Sequence, residues 1–121
     1  MSEIKVTIQN SSFHFAIRIV KLYQYLTNEK KEYVLNKQLL RSGTAVGALV
    51  REAQNAESKL DFIHKLGVAQ KECDESIYWL ELLKETNFLS EKEFQSIHEQ
   101  ATIILKMIRS AIITMKKKIN S

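Results

Sequence analysis

Leu89-Ser90-Glu91-Lys92-Glu93-Phe94 is the stretch on which the fold turns. Ser90 and Glu93 stand at the spacing of a capping box, in which each side chain satisfies the other residue's backbone N–H. Leu89 and Phe94 hold the hydrophobic-staple positions that set the angle of entry into a helix. A helix therefore starts near residue 90, and Asn87 suits the left-handed position that ends the one before it. Downstream, Phe94, Ile97, Ala101, Ile104, Ile108, Ala111 and Met115 recur at alternating spacings of three and four, the repeat of one buried face. Lys116-Lys117-Lys118 complements the negative end of that helix.

Working upstream, Ser58 and Asp61 repeat the capping pattern. They open a helix whose seam reads Phe62, Leu66, Ala69, Cys73, Ser76, Leu80 and Leu83, a clean heptad. Before it, a helix from about Val34 to Ala56 buries Leu35, Leu39, Ser42, Val46, Leu49 and Ala53. Its flank carries Leu40, Gly43 and Gly47, a Gly-x-x-x-Gly spacing that lets a neighbouring backbone come close. The run Asn28-Glu29-Lys30-Lys31-Glu32 reads as a solvated connection.

The first helix begins at an N-cap on Ser11 or Ser12 and runs to about Thr27. It has two apolar stripes: Phe13, Ala16, Ile17, Val20 and Tyr23 on one side, and Phe15, Ile19, Leu22 and Leu26 roughly opposite. A helix in a monomeric bundle needs one. The second stripe, with Leu40, Gly43 and Gly47, is the expected subunit interface. Residues 1–10, with Ile4, Val6 and Ile8 alternating, read as a short extended arm. The expected fold is all-α: an antiparallel up-down four-helix bundle over residues 11–121, one domain, behind an extended arm at 1–10.

Composition agrees with this reading. Of 121 residues, 45% are hydrophobic and 26% charged, proline is absent, and the three glycines all fall within helix-periodic segments. Cys73 is the only cysteine, which rules out an intramolecular disulfide framework and suits a reducing compartment. The alternating N-terminal residues lack a signal-peptide core, and no uncharged apolar run is long enough to span a membrane, so a cytoplasmic location is expected. The net charge is +4. Residues 1–60 hold nine Lys/Arg against five Asp/Glu, and residues 61–121 hold nine against nine, so the whole excess lies in the first half.

Chemistry is harder to find. A di-iron carboxylate bundle needs Glu-x-x-His motifs, and none is present. Cys73 occupies a seam position, where a thiol behaves as a small hydrophobe. No glycine-rich phosphate loop follows a strand. No catalytic, cofactor-binding or metal site is expected, and neither is enzymatic activity. The basic residues suggest more. His14, Arg18, Lys21 and Tyr25 form a polar strip on the first helix, and Lys37, Arg41 and Arg51 lie on the outside of the second. These residue types neutralise phosphates and stack on bases, although ordinary helix solubility explains them equally well.

Gln38-Leu39-Leu40-Arg41-Ser42-Gly43-Thr44-Ala45-Val46-Gly47-Ala48, Glu52-Ala53, Asp61-Phe62-Ile63-His64-Lys65-Leu66, Ala69-Gln70-Lys71-Glu72 and Tyr78-Trp79-Leu80-Glu81-Leu82-Leu83 together resemble a known family. It is that of the bacterial four helix bundle proteins, first noticed as products of intervening sequences in 23S rRNA genes. Helices 2 and 3 match closely, and helices 1 and 4 match by pattern. The resemblance implies a left-handed antiparallel bundle assembled into a ring-shaped homopentamer. It also implies a likeness to the accessory variability protein of diversity-generating retroelements, a basic barrel thought to bind nucleic acid and a reverse transcriptase. It supplies no catalytic residues, and despite older labels it does not make the chain a ribosomal protein. The functional expectation is a non-catalytic homo-oligomer that binds RNA or DNA without sequence specificity. The alternative is a structural or adaptor ring whose partner is another protein.

Overall fold

The structure, a computed structural model, describes residues 6–120. It contains α1 (Ile8–Asn28), α2 (Leu35–Gln54), α3 (Lys59–Glu85) and α4 (Glu91–Asn120). Each helix packs on its sequence neighbour and α4 returns to α1, while the diagonal pairs make no close backbone approach. That is the square cross-section of an up-down four-helix bundle. The α1–α4 seam is the most loosely joined of the four. No helix among the described residues is long and apolar enough to cross a membrane.

The helix ends follow local chemistry. Ser90 Oγ accepts from Glu93 N at 3.1 Å while Glu93 Oε1 accepts from Ser90 N at 2.8 Å, a complete capping box. Ser58 Oγ accepts from Asp61 N at 3.0 Å, but Asp61 reaches past it to Glu57 N at 3.2 Å. Asn87 has φ 68, and Asn87 N and Phe88 N donate back to the Lys84 and Leu83 carbonyls, closing α3 in a Schellman motif.

Four expectations change. The N-cap of α1 is Thr7, whose hydroxyl accepts from Asn10 N, so Ile8, Gln9 and Asn10 are helical and not an arm. Of the rest of the expected arm, Val6 and Thr7 precede the helix, and residues 1–5 lie outside the described residues. Glu32 is not solvated but 7% exposed. Its carboxylate accepts from Val34 N, Leu35 N and Asn36 N, capping α2 from outside because Val34 has no side-chain acceptor.

The two faces of α1 are exchanged. Phe15, Ile19 and Leu26 are fully buried in the protomer core, and Leu22 packs against it. Gly43 is buried against Ile19, Gly47 meets the Ser12 backbone, and Leu40 is half-buried beside them. Most of the surface expected to join subunits is instead packed within one chain, where Ile19 and Ser12 of α1 meet Gly43 and Gly47 of α2, while Leu22 faces α4. The stripe left outside is Phe13 (54% exposed), Ile17 (37%) and Val20 (39%). Two stripes do exist on α1, and the one expected to face outward is the one in the core.

Candidate nucleic-acid interface

Loose packing leaves a groove along the α1–α4 seam. Three pockets of about 460, 440 and 420 Å³ follow one another along it. The first two share Arg18 and Ser96, and the second and third share Ile103, so they succeed one another along one seam. The helices run antiparallel, which sets Tyr25 near Glu93 at one end and Ile8 near Ala111 at the other.

His14, Arg18, Lys21 and Tyr25 all line this groove, because spacings of four, three and four keep them on one side of α1. Arg18 crosses the seam: its Nη1 donates to Gln100 Oε1 at 2.8 Å and its Nη2 to Ser96 Oγ at 3.0 Å. Both acceptors are neutral. The guanidinium is therefore oriented without being neutralised, and its remaining donors keep their appetite for an anion. Lys21, Lys92 and Lys106 are exposed along the rim, and among the described residues none of them forms an ion pair. Against these four cations the groove sets two carboxylates, Glu93 and Glu99. Glu93 is engaged in the α4 cap, and the Ser90 backbone N–H holds its carboxyl below the usual range.

The remaining candidates do not join the groove. Arg41 pairs with Glu72 at 2.8 Å and with Glu75, both on α3, and the Glu72 hydrogen bond raises its pKa further. Its charge is neutralised within the chain. Arg51 lies 6.0 Å over the Phe13 ring, at the edge of a cavity of about 1150 Å³ among α1, α2 and α3. That cavity also holds Lys65 with Glu52, Glu57 and Asp61, so it favours neither sign of charge. Lys37 is exposed on α2, apart from both.

Sequence reading missed the α4 wall: Lys92, Ser96, Gln100, Ile103 and Lys106. Their helical spacing is visible, but polar residues on an outer helix face signal nothing until the opposite wall is known. Cys73 offers no nucleophile. It is buried, donates to the Ala101 carbonyl at 3.3 Å, and burial pushes its thiol up to about 12. Among the described residues no three His, Cys, Asp or Glu side chains converge as metal ligands.

The family model described as 23S rRNA-intervening sequence protein matches residues 5–110. A crystal structure from Bacteroides thetaiotaomicron VPI-5482, of a protein with unknown function from the S23 ribosomal protein family, superposes with a TM-score of 0.87 at 48% identity. The match covers 88% of this chain and 98% of that one. No curated protein matches.

Proposed function

We propose that this chain, which belongs to the 23S rRNA-intervening sequence protein family, is a non-catalytic, self-associating module that grips nucleic acid by its phosphates. It works in the cytoplasm and reads no sequence. The observation that carries this reading is Arg18, aimed into the α1–α4 groove by two neutral acceptors with uncompensated lysines on both rims. Arginine and lysine contacts to phosphate are indifferent to base identity.

Self-association has its own support in Phe13, Ile17 and Val20. An exposed apolar stripe on one helix is an association surface unless something covers it. The family resemblance makes five copies the expected number, and a closed ring would repeat the groove around its symmetry axis.

Anisotropy titrations of fluorescent RNA and DNA at low salt test the reading. Lys21→Glu should weaken binding to every sequence alike, while Lys116→Glu with Lys117→Glu, on the α4 tail, should change it little. The second reading, an adaptor ring, is favoured by the same apolar stripe and by the loss of Arg41 to its carboxylates. It forecasts no oligonucleotide binding at all.

A further inference from the structure

Resting on that reading, we infer that the groove takes a single strand and not a duplex, one strand running along each protomer's α1–α4 seam. The argument begins with the groove's cross-section. Its floor is largely apolar, with Ile8, Leu22, Ile97, Ile103 and Met107, its lysines stand on the rims, and Arg18 reaches across it. A ligand matching this section needs flat apolar groups to turn inward and anionic groups to stay at the edge. An unpaired strand has both, because its bases are free to leave the stack.

A duplex has neither option. Its bases are stacked inside, and it meets the protein as a wall of phosphate. Neighbouring helix axes in a bundle lie about 8–10 Å apart. A duplex whose major groove alone is about 12 Å wide and admits a whole helix cannot enter such a seam.

Two further features agree. Tyr25 lines one end of the groove, with Lys30 Nζ 6.0 Å over its ring, and His14 lines the middle, so the groove carries two aromatic side chains of the kind on which bases stack. From Ile8 to Tyr25 the helix rises roughly 25 Å at about 1.5 Å per residue. At the roughly 3.4 Å per nucleotide of a stacked strand that length spans about seven nucleotides, an upper bound that unstacking lowers.

The test is a competition at low salt among oligouridylate, oligothymidylate and mixed-sequence duplexes of equal length, with the full chain. Single strands should bind at least tenfold tighter than duplex, and affinity should stop rising beyond about seven nucleotides per protomer. Tyr25→Leu should weaken single-strand binding about tenfold. Tyr25→Phe, which keeps the ring and loses only the hydroxyl that reaches Glu93, should bind as wild type does. Duplex bound as tightly as single strand, or Tyr25→Phe as weak as Tyr25→Leu, overturns the single-strand assignment and leaves phosphate binding standing. Absence of binding to any of the ligands removes both.

Discussion

Gly43 of α2 faces Ile19 of α1 so closely that a Cβ on the glycine would stand 2.8 Å from Ile19 Cγ1 and 2.9 Å from Cγ2. One turn on, a Cβ on Gly47 would lie 3.2 Å from the Ser12 carbonyl oxygen. The Gly-x-x-x-Gly spacing thus lets α2 press on a core isoleucine and on a backbone. This approach fixes which stripe of α1 is buried.

Gly43→Leu and Gly47→Leu should therefore destabilise the protomer itself by about 1–3 kcal/mol or more, the usual range for overpacking. Gly67, where an added Cβ meets nothing within 4 Å, should behave oppositely. It lies inside α3, and Gly67→Ala should stabilise by about 0.5–1 kcal/mol through helix propensity. Urea denaturation of the three variants checks both signs.

Phe13 and Phe15 are two residues apart and should respond in different assays. Phe15→Ala empties a fully buried site and should lower stability by about 3–5 kcal/mol. Phe13→Ser and Ile17→Ser, on the exposed stripe, should each cost less stability than Phe15→Ala, since both side chains already face solvent in part. The pair should instead reduce the light-scattering mass toward the 14.0 kDa of one chain. An unchanged mass would remove this stripe from the assembly.

Glu32 caps three backbone N–H groups at the start of α2 from a nearly buried position. Glu32→Ala should cost about 1–3 kcal/mol, since it leaves those donors without an acceptor. Amide exchange should quicken first at Val34, Leu35 and Asn36.

The α4 cap predicts a pH dependence. The Ser90 N–H holds the Glu93 pKa below its ordinary value of 4.5 in the folded chain. In acid the unfolded chain therefore binds the proton more readily than the folded one. The contribution is complete above the ordinary carboxylate pKa and fades as pH falls through the folded value. Glu93→Gln should flatten the acid limb of the stability curve, and Ser90→Ala should flatten it in part. Thermal melts from neutral pH into acid read this directly.

Much of the fold was legible because its signals are local. The Ser90–Glu93 box, the left-handed Asn87 and the α3 heptad from Leu66 to Leu83 each depend on residues within one or two turns. The faces of α1 were not legible, since Phe13-Ile17-Val20 and Phe15-Ile19-Leu26 have equivalent periodicity. Only the glycine approach from α2 separates them. Glu32 was hidden in a charged run, and its burial follows from the path of the connection rather than from composition. Of the candidate site, four residues of α1 were read correctly as one strip, because helix geometry places them together. That Arg41 would be neutralised by Glu72 and Glu75, and that Lys92 and Lys106 would complete the opposite rim, are facts of tertiary packing.

The most direct test is the salt dependence of oligonucleotide binding by wild type and by Lys21→Glu combined with Lys92→Glu. Both lysines are exposed on opposite rims, so the variant should keep its fold and its mass. If the α1–α4 groove holds phosphates, log K for wild type falls linearly with log salt. Each lost contact flattens that line by about 0.7 for a single strand, so the double variant should be shallower by about 1.4 or more. Wild type that binds nothing at low salt, or a variant whose slope equals that of wild type, would contradict the groove as the nucleic-acid face.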